Sequence, residues 1–249
     1  MLLGIDVGTG SSKALLLGPD GAVAVEAASP HPVSAARPGW AETDPEAWWA
    51  SVVAAVRSAV GDRGDAVEAI GLSGQMHGVV LAGHDGGALR PAILWADGRS
   101  AGQLVAYARL PGELAAVLGN PVVAGMAGPT LLWLREHEPE AYARASWALQ
   151  PKDWLRARLT GTVETDPSDA SGTLLYDVEA DGWSGAIAEA LGLRRDLLAP
   201  VREAAEPAGG LLATAGAALG LPAGIPVAVG AADTAAGGLG TGLLGTGEA

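Results

Sequence analysis

The sequence predicts an α/β fold, a mixed sheet that opens with a β-meander and is flanked by helices. Three observations predict it. The opening segment reads as strand, loop, strand, turn, strand, because its apolar runs are too short for helices. Further short apolar runs alternate downstream with segments of helical periodicity. Hydrophobic residues make up 49% of the chain against 17% charged, which suits a packed globule. A chain of 249 residues forms one large domain or two small ones, and can bury roughly 70–75% of its unfolded surface.

The first apolar run, residues 2–7, carries one carboxylate, Asp6, near its end. It breaks into Gly8, Thr9, Gly10, Ser11, Ser12 and Lys13. Small residues let backbone N–H groups approach an anion, and Thr9, Ser11 and Ser12 add hydroxyl donors. A carboxylate at the strand end can hold a divalent cation through water. Residues 14–17 and 22–28 continue the meander around the turn Gly18-Pro19-Asp20-Gly21. A P-loop would need G-x-x-x-x-G-K-[ST] leading into a helix, and Lys13 lacks that spacing. A dinucleotide fingerprint would need a helix and a third glycine. What remains is either an ordinary glycine-rich hairpin turn or a phosphate-binding hairpin of the kind used by actin-like ATPases.

Residues 29–43, rich in Pro, Ser and Arg, read as a surface loop. Asp44-Pro45-Glu46 is a helix start, with Asp as N-cap, Pro at the first helical position and Glu in the first turn. Trp48, Trp49, Val52, Val53, Val56, Ala59 and Val60 then give that helix an apolar face, and residues 61–65 end it. Residues 66–72 read as a strand, Gln75-Met76-His77-Gly78 as a loop and residues 79–82 as another strand. Residues 92–94 run extended into Trp95-Ala96-Asp97-Gly98-Arg99. Residues 100–160 read as mostly helical, with loops near 119–121 and 125–129. Residues 165–172 are turn-rich, and 180–220 hold short Ala/Leu helices. Residues 225–229 form a strand that leads to Asp233 and a run of small residues able to begin a helix. Residues 211–232 are uncharged and long enough to cross a bilayer, but Pro222, Pro226 and four glycines divide them into helix, turn and strand. Residues 245–249 carry neither a helix cap nor a polar tail, as expected of an interrupted chain.

A formal charge of −13 disfavours nucleic acid and anionic membranes as partners. Cysteine is absent, which excludes disulfides and thiolate chemistry and suits a cytoplasmic location. No basic segment precedes the first apolar run, so no signal peptide is expected. Asp233, in the first turn of its helix, reads either as a plain cap or as a functional acid. Ligands of open α/β sheets gather outside the carboxyl ends of strands. Asp6 and Asp233 there can serve as metal anchor and general base for phosphoryl transfer, which needs mainly positioning and charge neutralisation. Trp95 with Asp97 and Arg99 suits polyol recognition, an aromatic platform beside hydrogen-bonding groups.

Taken together, GIDVGTGSSK, PGWAETDPEAWW, IGLSGQMHGVVL, RPAILWADGRS, LLWLREHEPE, QPKDWLRARLTG, TDPSDASGT and GAADTAAGGLGTG resemble the N-terminal half of a xylulokinase. These are FGGY carbohydrate kinases of the actin-like (ribonuclease H-like) ATPase superfamily. The segments lie in family order over almost the whole chain, and QMHG is the most specific. The resemblance implies a sugar-binding and catalytic N-terminal domain over residues 1–249, with the nucleotide-binding C-terminal domain outside this chain. It implies ATP and Mg²⁺ as cofactors and phosphorylation of D-xylulose to D-xylulose 5-phosphate. A homodimer is compatible with it. By resemblance Met76 and His77 contact the ketopentose, with Gln75 in the same loop and Trp95 and Asp97 as further pocket candidates. Asp233 is then the base, Asp6 and Asp233 position the metal, and residues 8–13 face the ATP phosphates. Thr234 stands where the family often has Asn, and Met126 and Thr130 where Phe and Lys are expected. Two other classes fit parts of the pattern: a non-catalytic sugar-binding half-length paralogue, and an actin- or chaperone-like ATPase. An FGGY kinase for another ketose or polyol would share the motifs.

Overall fold

The computed structural model describes residues 1–243. The terminal segment 245–249 read above as an interruption lies outside the described residues. The predicted meander forms as β1 (Leu2–Val7), β2 (Ser11–Leu17) and β3 (Val23–Pro30), all antiparallel. They make one side of a seven-stranded sheet. On its other edge β1 pairs in parallel with Ala69–Gly74, which also pairs in parallel with Pro226–Ala228 and Ala231–Ala232. Pro207–Gly210 closes that end antiparallel to Pro226–Ala228. The mixed sheet expected from the sequence is therefore present.

Helix α1 (Pro45–Val60) starts where its cap predicts: Asp44 accepts a hydrogen bond from the Glu46 N–H at 3.0 Å. Its buried stripe is Trp48, Ser51, Val52, Ala55, Val56, Ala59 and Val60, while Trp49 and Val53 lie at the edge of the contact. The stripe packs on the inward residues of the sheet, Leu3, Ile5, Val7, Ala14 and Leu16. Trp48 is wholly buried, and burial of a side chain this large makes truncation to Ala cost about 3–5 kcal/mol.

A second core centres on Leu81, Ile93, Leu131, Leu134 and Leu174. The two cores share a small β layer. Val80–Ala82 pairs with Trp147–Leu149, and Ala92–Ile93 with Glu42–Thr43. Val80 and Ala82 face the first core while Val79 and Leu81 face the second. A strand covered on both faces reads as an unbroken apolar run, which is why residues 79–82 show no alternation. The strand expected at 66–72 begins at Ala69, after a 3₁₀ turn at Gly64–Ala66. The uncharged segment 211–232 resolves into helix Ala213–Leu219, a turn and strands. Among the described residues no helix is long and apolar enough to cross a membrane.

Candidate active site

Parallel pairing brings the two acids to the same end of the sheet. Asp6 and Ala231 both register with Ser73 of the intervening strand, and Val7 and Ala232 both register with Gly74. Asp233 follows Ala232 as the first residue of helix Asp233–Gly240. Strands lie roughly 4.8 Å apart, so the backbones of Asp6 and Ala231 are about 10 Å from each other, with side chains on one face. Gly230 makes this arrangement possible. It turns the chain at φ +86°, and a Cβ there would meet the Leu72 carbonyl at 2.6 Å.

Helix Asp233–Gly240 crosses the outer sheet face as a ridge between two grooves. One, of about 470 Å³, is lined by Asp6, Lys13, Leu15, Ser73, Ala236 and Leu239. The other, of about 460 Å³, runs along Ser168, Gly230, Ala231 and Ala235. The Ser73 hydroxyl donates to Asp6 Oδ1 at 2.7 Å, and the Thr234 N–H to Asp233 Oδ1 at 2.7 Å. Partial burial raises the Asp233 carboxyl above the usual carboxylate range. The Thr234 N–H opposes that shift, the nearby charge of Asp6 adds to it, and His77 opposes it. Asp233 thus feels the charges of both Asp6 and His77.

Met76 and His77 complete the wall. The Thr234 hydroxyl donates to Met76 Sδ at 3.1 Å. His77 Nδ1 lies 2.7 Å from the Gly172 carbonyl, which can only accept, so Nδ1 carries a proton and Nε2, in the neutral ring, is the acceptor. His77 holds φ +67°, which costs a residue with a Cβ about 1–2 kcal/mol. Such strain concentrates at functional sites.

The glycine-rich hairpin is tied down from both sides. Gly8 N–H donates to Ser11 O at 3.1 Å, and Gln75 Nε2 to Gly8 O at 3.1 Å. The Trp95 indole N–H donates to Thr9 Oγ1 at 2.9 Å, and the His31 N–H to Gly10 O at 3.1 Å. Gly10 and Lys13 are exposed and Ser11 half-buried, but Ser12 points into the core with no side-chain partner among the described residues.

The sequence that builds this site matches a known family. The sequence profile of the FGGY family of carbohydrate kinases, N-terminal domain, matches residues 1–240. The chain belongs to this family. Xylulose kinase of Escherichia coli K12 is 40% identical, over 100% of this chain and 51% of its own length. Xylulose kinase of Bacillus subtilis 168 is 36% identical, over 99% and 50%. The crystal structure of xylulose kinase from Rhodospirillum rubrum matches with a TM-score of 0.92 at 29% identity, covering 98% of this chain and 51% of that one. The chain spans about half the length of the curated relatives it matches. The actin-like ATPase fold expected from the hairpin is the fold of these FGGY sugar kinases.

Not every candidate of the FGGY pattern lies open to a ligand. Asp97 is 2% exposed and accepts four hydrogen bonds, from the Ala41 N–H, the Arg99 N–H, Arg99 Nε and Arg99 Nη2. That fills the acceptor capacity of a carboxylate, so Asp97 acts beneath the surface. Gln75, also 2% exposed, supports the hairpin, while Trp95 is 50% exposed at its rim. The sequence reading did not single out Ser73, His31, Gly172 or Ser168. Each reaches the site through pairing or contact between segments distant in sequence.

The donor set fits a hard divalent cation. Asp6 and Asp233 offer carboxylate oxygens and no thiolate, and among the described residues no cluster of three or more His, Cys, Asp or Glu forms a closed cage. Mg²⁺ is characteristically held by one or two carboxylates plus substrate phosphates.

Proposed function

We propose that this FGGY domain is the sugar-binding, base-bearing part of an ATP-dependent ketose kinase that converts D-xylulose to D-xylulose 5-phosphate. The observation that carries the reading is the pair of acids, Asp6 and Asp233, at the carboxyl ends of parallel strands beside Met76 and His77. His77 Nε2 accepts a sugar hydroxyl, and the Met76 thioether packs on the apolar carbon skeleton. Trp95 stacks at the rim, with Gln75 and Asp97 holding the walls from behind. Asp233 takes the proton from the attacking hydroxyl, whose oxygen bonds the γ-phosphorus as the bond to ADP breaks. Gly8, Thr9, Gly10, Ser11 and Lys13 face the phosphates, and Ser12 contributes only its backbone. Asp6 and Asp233 would hold Mg²⁺, which neutralises phosphate charge when bound.

Phosphoryl transfer needs donor and acceptor fixed in one geometry. On this reading the adenine site lies outside residues 1–249, and the 249-residue chain binds sugar weakly with negligible ATP turnover. Thermal shifts with xylulose, ribulose, glycerol and ATP test the first part: xylulose should raise the melting temperature most. Stabilisation by nucleotide alone would favour an ATPase without a sugar site. In the gene's full-length product, Asp233→Ala should lower xylulose phosphorylation by about 10²–10⁴-fold with the melting temperature unchanged. Full activity of that variant would remove Asp233 as the base.

A further inference from the structure

Behind the acid pair lies a buried ionic cluster that the proposed chemistry does not use. Lys152, Asp153 and Arg156 stand on helix Pro151–Thr160. Asp166 caps helix Pro167–Ser171, and Asp169 lies within it. All five are at most 1% exposed. Lys152 Nζ lies 2.6 Å from Asp153, 3.0 Å from Asp166 and 3.4 Å from Asp169. Arg156 Nη1 donates to Asp153 at 2.9 Å and to the Val229 carbonyl at 2.9 Å. Stripping ionic groups of water is costly, and a buried ion pair is often no better for stability than apolar residues of the same volume. Conformational precision is the better explanation here, because the contacts lead from the cluster to the site.

Asp166 Oδ2 accepts from the Ser168 N–H at 2.8 Å and from the Ser168 hydroxyl. With its only proton committed to Asp166, the Ser168 oxygen accepts from the Ala232 N–H at 2.9 Å. Ala232 is fully buried and immediately precedes Asp233. Past the other end of the same short helix, the Gly172 carbonyl accepts from His77 Nδ1. A Cβ on Gly172 would meet His77 Cε1 at 2.7 Å and Met76 Cε at 3.0 Å, so this corner is packed directly against the QMHG loop.

We propose that Ser168, oriented by Asp166 and Lys152, is a positioning residue that fixes the Ala232 backbone and so aims the Asp233 carboxylate at the sugar hydroxyl. The proposal rests on Asp233 being the base. Among the described residues Ser168 makes no hydrogen bond to the sugar loop or the hairpin, so its loss should disturb the chemical step more than sugar binding. A hydroxyl polarised by a charged acceptor is also a better acceptor itself, which couples the buried cluster to the Ala232 amide.

The test compares Ser168→Ala with Ser168→Thr, which keeps the hydroxyl. In the gene's full-length product Ser168→Ala should lower kcat for xylulose by about 10–100-fold, with KM for the sugar within about twofold. Ser168→Thr should recover most of the loss. In the 249-residue chain, hydrogen exchange at the Ala232 amide should quicken about tenfold in the Ala variant and not in the Thr variant. A Ser168→Ala enzyme with wild-type kcat overturns the proposal. So does a fall in kcat matched by a rise in KM that Thr does not rescue. If Asp233→Ala retains full activity, the base assignment fails separately, and exchange at Ala232 decides alone: unchanged exchange overturns the positioning, acceleration confined to residues 230–234 supports it.

Discussion

The acid pair and the buried cluster are both dense in charge, they are linked through Ser168, and the fold treats them in opposite ways. In the cluster each acid faces Lys152 or Arg156 at close range. At the strand ends, Asp6 and Asp233 lie at the same end of the sheet, close enough for the charge of Asp6 to act on Asp233, and among the described residues neither forms an ion pair. Burial favours the neutral Asp153, yet Lys152 and Arg156 outweigh it and hold that carboxyl below its ordinary range. Burial likewise works against the charge on Lys152, and the neighbouring acids Asp153, Asp169 and Asp166 overcome it. Charge neutralised inside the protein holds geometry, whereas charge left uncompensated at an open cleft is available to a cation or a proton.

This contrast breaks most easily at Lys152. Lys152→Met leaves Asp166 and Asp169 buried without their cation, and Asp153 with Arg156 alone, and should lower the unfolding free energy by about 3–5 kcal/mol, read by urea denaturation. Asp6→Asn should change it by less than about 1 kcal/mol or raise it, since it relieves a like charge at a solvated site. A neutral Lys152→Met would mean that the cluster does not depend on its central cation, and the distinction between the regions would fall.

Asp169 sharpens the same contrast. Burial, with the charges of Asp153 and Asp166 adding to it and Lys152 opposing, pushes its carboxyl well above the ordinary range. Two cations and three acids balance when that one acid keeps its proton. In the folded state Asp169 holds a proton that the unfolded chain releases above about pH 4. Its contribution to stability therefore falls as pH rises from there towards the folded-state pKa, and is level beyond it. Asp169→Asn carries no such penalty. Its stability relative to wild type should be near even at about pH 4 and improve as pH rises. A variant that instead loses stability with rising pH would make Asp169 an ionised partner of Lys152.

Local signals were legible and long-range ones were not. Asp44-Pro45-Glu46 marks a helix start by chemistry confined to one turn, and the helix begins there. The meander follows from short apolar runs around two glycine-rich breaks. Strand Pro207–Gly210 has no β-branched residue and exists because Pro226–Ala228 offers it an edge, so nothing in its own sequence announces it. Trp147–Leu149 lies within a stretch read as helical and is extended because Val80–Ala82 pairs with it. Asp6 and Asp233 could be singled out as acids at strand ends. Ser73 joins Asp6 only through parallel register, and Ser168 joins Ala232 only through the packing of two distant turns. The Asp97 carboxylate was visible as a residue type, but its saturation by Arg99 and Ala41 depends on backbone geometry.

The smallest expected effect lies at the rim of the cleft. Trp95 is half-exposed, and its indole N–H bonds Thr9 Oγ1 at 2.9 Å across the hairpin. Water can replace either partner, so the net worth of this bond is about 0.5–1 kcal/mol at most. Trp95→Phe keeps an aromatic face and removes the donor. Unfolding free energy should change by less than about 1 kcal/mol, while amide exchange in the hairpin quickens because one of its ties is gone. The sugar should still bind, because the ring remains. A loss above about 2 kcal/mol would place Trp95 with the buried cluster as a structural element. Unchanged hairpin exchange would show that Gln75 and His31 alone hold the loop, leaving Trp95 free to follow the ligand.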